Sequence, residues 1–323
     1  MTESHKDPAG AGDLVRRFIV ENRPVRGHWV RLEGAWQELR AHTDYPDVVR
    51  DLLGQAVAAS VLLAATLKFN GTLTLQLQGN GAVSLLVAQC THDFRLRAVA
   101  RFDEGALSAI SAIEGEQAFG KIAAGDSDPK IFGQLVGTEG RIAVTIEAEE
   151  RSLRYQGIVP LSGGSLAESL EAYFSSSEQL PTRVLLAADG KRGAGVLIQK
   201  MPGHGLEDES DLQAVWEDTQ RGIESLSSKE LLQCPVEELL NRGFATHDLR
   251  LFRGSPVQFE CRCNAGRVTS LLRALGPEEV RDVLEEQGAV TVTCEFCQRP
   301  FQFDAVAVEA IFADTGTDSR TVH

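Results

Sequence analysis

Positive charge is scarce in this chain. Its 323 residues carry 32 Lys and Arg against 46 Asp and Glu, a formal net charge of −14 with a pI near 5.0. A surface this acidic repels phosphate backbones unless a local basic patch compensates, so nucleic-acid binding is not expected. The first residues, MTESHKDPAGAGDLVRR, hold no apolar stretch of the kind a secretory leader needs. No apolar run reaches the roughly 18–20 residues that span a bilayer, so no membrane association is expected. Together these absences predict a cytoplasmic protein. The seven histidines are scattered and no G-x-S-x-G elbow occurs, so nothing supports a hydrolase. GEQAFGKI, residues 115–122, has the spacing of a phosphate loop as far as Lys121. Position 122 is Ile, however, so the hydroxyl that would hold Mg²⁺ is missing, and no nucleotide cofactor is expected.

Apolar residues make up 43% of the chain, enough for real cores, and the length favours two or three domains. Residues 12–40 mix short strand-like and helix-like runs around Trp29 and Trp36. YPDVVRDLLGQAVAASVLLAATLKF, residues 45–69, is small or apolar on nearly all faces from Gly54 to Leu67, the pattern of a buried central helix. Pro46 suits its first position. In NGTLTLQLQGNGAVSLLVAQC, Leu73, Leu75 and Leu77 alternate with polar residues, GNG at 79–81 makes a hairpin turn, and 82–89 returns. Further strands are expected at 95–102, 141–149 and 153–160, with a helix at 165–176. The reading is an α+β chain: an N-terminal antiparallel-sheet domain with a buried helix over 1–202, a helical linker over 203–247, a small C-terminal Cys₄ zinc domain over 248–312, and a tail over 313–323. In the linker, Leu212, Val215, Trp216, Ile223 and Leu226 recur at helical spacing, and Leu231, Leu232, Val236, Leu239 and Leu240 form a second helical pattern. Two helices of this length do not hold together alone, so their apolar faces need the neighbouring domain.

The densest chemistry lies in SPVQFECRC and TVTCEFCQRPFQF. Val257, Phe259, Cys261 and Cys263 alternate with polar residues, a strand pattern with both thiols on one face. Helical runs follow, and Cys294 and Cys297 then sit in a turn between two strands. Two close thiol pairs brought together by one fold have the ligand pattern of tetrahedral zinc, and no histidine lies between 248 and 322, so the site is Cys₄. A thioredoxin-like catalyst needs its CxxC at a helix N-terminus, whereas PFQF here reads as a strand. A nucleic-acid ribbon should be basic, yet residues 259–303 hold five Arg against seven acids. A purely structural zinc, in an adaptor that binds one fixed partner, stays open. A cytosolic redox switch also stays open. On an extended strand, i to i+2 spans about 6.6 Å, so a Cys261–Cys263 bridge needs local distortion and excludes metal binding. A module this small has too little core to fold without a staple, so losing zinc should unfold it. Cys90 and Cys234 read as small buried hydrophobes.

The stretch HTDYPDVVRDLLGQAVAASVLLAATLKFNGTLTLQLQGNG, together with RYQGIVPL at 154–161, YFSSSEQLPTR at 173–183 and the CxC…CxxC module, resembles the family of redox-regulated thirty-three-kilodalton bacterial chaperonins, heat-shock holdases. The resemblance covers nearly the whole chain. It implies one Zn²⁺ per chain in the reduced form, held by Cys261, Cys263, Cys294 and Cys297. It also implies oxidation to Cys261–Cys263 and Cys294–Cys297 disulfides with zinc release and unfolding of the module, and no enzymatic or ATP-dependent activity. The implied partners are unfolding client proteins, a second copy of the chain when oxidised, and ATP-dependent foldases downstream. The linker stripe Leu212, Val215, Trp216, Ile223 and Leu226 is the expected gate or client-contacting surface.

Overall fold

A computed structural model of the chain describes residues 12–115, 119–120, 128–148, 154–202 and 209–313. Most of the phosphate-loop-like segment, the linker's first residues 203–208 and nearly all of the expected tail lie outside the described residues. The chain divides into two compact units, Met1–Glu260 and Cys261–His323.

In the first unit the antiparallel domain is built from two sheets rather than one. The first takes the hairpin β1 (Leu14–Val20) and β2 (Val25–Leu32), the hairpin β8 (Thr182–Ala188) and β9 (Gly193–Lys200), and β10 (Leu249–Leu251), in the order β10-β1-β2-β9-β8; β11 (Ser255–Pro256) also pairs with β1. The second runs β12-β5-β4-β3-β6-β7, from β3 (Gly71–Gln78), β4 (Val83–Thr91), β5 (Arg95–Phe102), β6 (Arg141–Ala148), β7 (Arg154–Pro160) and β12 (Gln258–Phe259). Among the described residues, only β12 runs parallel to its neighbour, β5. The expected leucine alternation in β3 is realised, with Leu73, Leu75 and Leu77 buried. Gly71, at φ +154°, opens β3 where a Cβ would lie 2.0 Å from the Glu147 carbonyl oxygen, so no other residue fits.

The helices of this unit are α1 (Gly34–Arg40), α2 (Asp47–Thr66), α3 (Glu104–Glu114), α4 (Pro129–Val136), α5 (Leu166–Tyr173), α6 (Glu209–Glu224), α7 (Ser228–Gln233) and α8 (Val236–Gly243). Helix α2 touches β2, β8 and β9 of one sheet and β3, β4 and β5 of the other. It is therefore buried on nearly every face, as its composition predicts. Pro46 stands one residue before the first turn, as its cap. By length and mean hydropathy, 1.6, this helix passes the test for a bilayer span, which corrects the expectation that no run is long enough; 89% of its apolar window is buried inside the protein. The helix expected at 165–176 ends earlier, at Tyr173, and continues as a single wide turn, Phe174–Glu178, closed by Gln179 at φ +54°.

Helices α6, α7 and α8 lie over the outer face of the first sheet. Trp216, Ile223, Leu226, Leu231, Leu232, Val236, Leu239 and Leu240 share a buried cluster with Phe18, Trp29, Val196 and Ile198 of the strands. The apolar stripes find their cover on the neighbouring domain, as their spacing requires. The second helical pattern breaks into α7 and α8 at Cys234–Pro235, because Pro235 has no N–H to continue a helix. Ser227 and Glu230 cap α7 reciprocally. Helices α6 and α8 touch through glycines: a Cβ on Gly222 would lie 1.7 Å from the Gly243 carbonyl oxygen.

The second unit holds α9 (Ala265–Leu275), α10 (Pro277–Gln287), the hairpin β13 (Val290–Thr293) and β14 (Pro300–Phe303), and α11 (Ala305–Ala313). Its own buried core is small: Val268, Leu272, Val280, Val290, Val308 and Ile311.

Candidate metal centre

Two local structures carry the four cysteines. The first follows β12, which ends at Phe259, so the predicted strand stops short of both thiols. Cys261 and Cys263 lie in a segment without regular secondary structure immediately before α9. The Asn264 side chain caps that helix by accepting from the Arg267 N–H at 2.9 Å. The second is a tight knuckle between β13 and β14. The Gln298 N–H donates to the Cys294 carbonyl at 2.8 Å, the Cys294 N–H donates to the Arg299 carbonyl at 3.0 Å, and Gln298 adopts a left-handed φ of +52°. This holds Cys294 and Cys297 on one side of the turn. As expected, the CxxC leads into a strand and not a helix.

The two motifs converge. Cys261 Sγ lies 3.6 Å from Cys294 Sγ, and Cys263 Sγ lies 3.5 Å from Cys297 Sγ. All four sulfurs fall within 4.8 Å of one another, and all four residues are half-buried. Thiols crowded this closely do not titrate independently. Burial opposes ionisation at Cys261, yet the Cys263 backbone N–H and the surrounding thiols favour its thiolate, and its pKa falls. Burial and the neighbouring thiols, the Cys261 thiolate among them, push Cys263 up to about 12. Burial also raises Cys297. Negative charge at one sulfur thus opposes charge at the next, and a bound cation relieves that conflict. A four-thiol cluster of this size can hold a metal ion.

The linker stripe is placed less uniformly. Trp216, Ile223 and Leu226 are buried in the cluster over the first sheet and Val215 packs at its margin, whereas Leu212 is half-buried and lies outside it. The sheet side of that cluster, Phe18, Trp29, Val196 and Ile198, escapes a reading of the linker alone. Its signal is the unbroken apolar run in β9, where seven of eight residues are buried. Cys90 is fully buried in the main core, and Cys234 is half-buried against the linker cluster.

The model of one protein family, described as Hsp33 protein, matches residues 13–304. A 33 kDa chaperonin of Methylobacillus flagellatus is 40% identical over 93% of this chain and 94% of its own length. Another, from Nitrosococcus oceani, is 40% identical over 94% of this chain and 95% of its own length. The crystal structure of the 33 kDa chaperonin from Thermotoga maritima matches with a TM-score of 0.75 at 21% identity, covering 94% of this chain and 99% of that one, so the likeness extends to the fold. With the family match spanning both the two-sheet unit and the four-cysteine unit, this chain belongs to the Hsp33 family.

Proposed function

We propose that the chain is a redox-regulated, ATP-independent chaperone, a holdase that binds unfolding proteins under oxidative stress. The observation that carries the reading is four thiols within 4.8 Å in a unit with only six buried apolar residues of its own among the described residues. Four sulfur donors suit one tetrahedral Zn²⁺ per chain in the reduced form, held by Cys261, Cys263, Cys294 and Cys297 and supplying roughly 10–16 kcal/mol of apparent folding energy. Under peroxide, Cys261 pairs with Cys263 and Cys294 with Cys297. Each pair of thiolates gives up two electrons to one peroxide, which takes two protons from solvent and leaves as two waters. The thiolates are then no longer ligands, and the unit beyond Glu260 loses its staple.

The chain connects that unit to the linker through β10, β11 and β12, which are three, two and two residues long. Edge strands this short have little local stability. Once they fray, the C-terminal end of α8 is free, and the linker lifts from the sheet. Trp216, Ile223 and Leu226, with Val215 at the margin of their cluster and Leu212 outside it, act as the gate, and apolar surface becomes available to clients. The active form is a homodimer in the cytoplasm that passes clients to ATP-dependent foldases, and no catalysis is involved. The test is suppression of aggregation of an unrelated client, with and without prior peroxide. Activity only after peroxide supports the reading. No activity in either state favours a structural-zinc adaptor.

A further inference from the structure

The sheet face beneath the linker has an unusual charge pattern. By strand register it presents Leu14, Arg16, Phe18 and Val20 of β1, and Val25, Gly27, Trp29 and Arg31 of β2. It also presents Arg183, Leu185 and Ala187 of β8, and Ala194, Val196, Ile198 and Lys200 of β9. Every polar side chain in this set is a cation, in a chain whose net charge is −14. Each cation meets the linker. Arg16 Nη1 donates to Glu237 Oε1 at 2.7 Å, Arg31 Nη1 to the Cys234 carbonyl at 2.8 Å, and Lys200 Nζ to Gln213 Oε1 at 3.0 Å. Arg183 Nε lies 3.6 Å from Glu224 Oε1, while its Nη1 donates to Glu171 Oε2 of α5 at 2.6 Å, and Arg16 Nε also donates to the Phe252 carbonyl at 3.0 Å. The Arg16 side chain is only 7% exposed, while its partner Glu237 is 62% exposed at the rim.

The linker thus displays what this face accepts: apolar side chains in the middle, with carboxylates and carbonyl oxygens around them. When the linker lifts, the cations lose these linker acceptors, and Arg183 keeps only Glu171. A wholly apolar segment would cover these cations without replacing the linker's acceptors, which is costly, and a basic segment would be repelled. A segment with carboxylates beside its apolar residues restores both kinds of contact. Resting on the chaperone reading above, we infer that this face selects client segments in which apolar residues are flanked by Asp or Glu, with Arg16 and Arg183 as the specificity-determining residues.

The test uses the full chain oxidised with peroxide. Labelled peptides share one apolar sequence and carry Glu, Gln or Lys at the same positions. Binding is read by fluorescence anisotropy, beside suppression of aggregation of an unrelated client. The expected order is Glu tightest and Lys weakest, with about tenfold between them and the gap closing as salt is raised. Arg183→Gln, at a partly exposed position, should narrow the gap. Arg16→Lys, which keeps the buried charge but loses the planar fork, should weaken the Glu peptide selectively. Circular dichroism checks that both variants fold. Equal affinity for all peptides, by a chain that suppresses aggregation, would overturn the charge preference and leave the chaperone reading standing. A gap unchanged in both variants would overturn the assignment to this face. Absence of both peptide binding and suppression would overturn the inference and the reading together.

Discussion

Trp216→Ala should switch the chain on without oxidant. Trp216 is 5% exposed and sits over the sheet with Phe18, Trp29 and Val196 in one cluster. Truncating a buried Trp to Ala costs about 3–5 kcal/mol. Helices of sixteen, six and eight residues are marginal in water by themselves, so the linker has little reserve of its own to absorb that loss. A change of this size raises the population of the lifted linker by roughly 10²–10⁴-fold. Alanine is a cleaner choice than aspartate, because Trp216 and Arg183 line the same groove and a carboxylate there could pair with the guanidinium. The assay is aggregation suppression by reduced, zinc-loaded protein. Trp29 reports the opening: it is 2% exposed under the linker, and its emission should shift to the red. Trp36, buried in the other core and donating to the Asp189 carbonyl, stays constant. Gly222→Ala, which drives a methyl into the Gly243 carbonyl, should act in the same direction by a different route. The reasoning fails if hydrogen exchange shows residues 209–243 open in either variant and the reduced protein still holds no client. The regulated surface would then lie elsewhere on the first unit.

Three further outcomes follow from the same account. Peptide mapping after peroxide should give Cys261–Cys263 and Cys294–Cys297; because the folded cluster holds Cys261 near Cys294 and Cys263 near Cys297, a dominant product of those cross-pairs would mean that the unit stays folded during oxidation. Chelating the metal from reduced protein should remove exchange protection from α9, α10 and α11 while β3, β4 and β6 keep theirs, and retained protection in α9–α11 would contradict the small-core argument. Acid should weaken the first unit through His28, which is 3% exposed with no hydrogen-bond partner at Nδ1 among the described residues; burial, then Arg26 and Arg17, lower its pKa to about 3. Because the folded pKa lies below the unfolded value, this stability is complete above about pH 6.5 and falls as pH falls, by about 2 kcal/mol at pH 5. Urea midpoints should show the loss in the parent and a shallower slope in His28→Leu, and equal slopes would count against the assignment.

The parts legible in the sequence were those whose signal is local. The cysteine spacings bring four thiols together through a capped helix start and a knuckle, both short-range structures. Helix α2 declares its burial by having no polar face. Strand β3 alternates because one side packs on α2 and the other is only partly covered. Strand β9 does not alternate, and β8 does so only over its first four residues, since α2 covers one side of their sheet and the linker helices cover the other. Their apolar runs therefore hid a second sheet. Within the linker, Pro235 marked a break that the leucine spacing obscured. The cations of the sheet face, Arg16, Arg31, Arg183 and Lys200, are far apart in sequence and acquire meaning only from strand register. Asn264 is a strong capping residue, and it marks the start of α9 directly after Cys263, a signal the strand pattern of the CxC masked.

The most direct measurement follows three quantities together while reduced, zinc-loaded protein is exposed to peroxide: free zinc, remaining thiols and suppression of client aggregation. The account predicts that one zinc per chain leaves in step with loss of the thiols of Cys261, Cys263, Cys294 and Cys297, and that activity rises along the same curve. Full activity with zinc still bound, or complete thiol loss and zinc release with no activity, would contradict it.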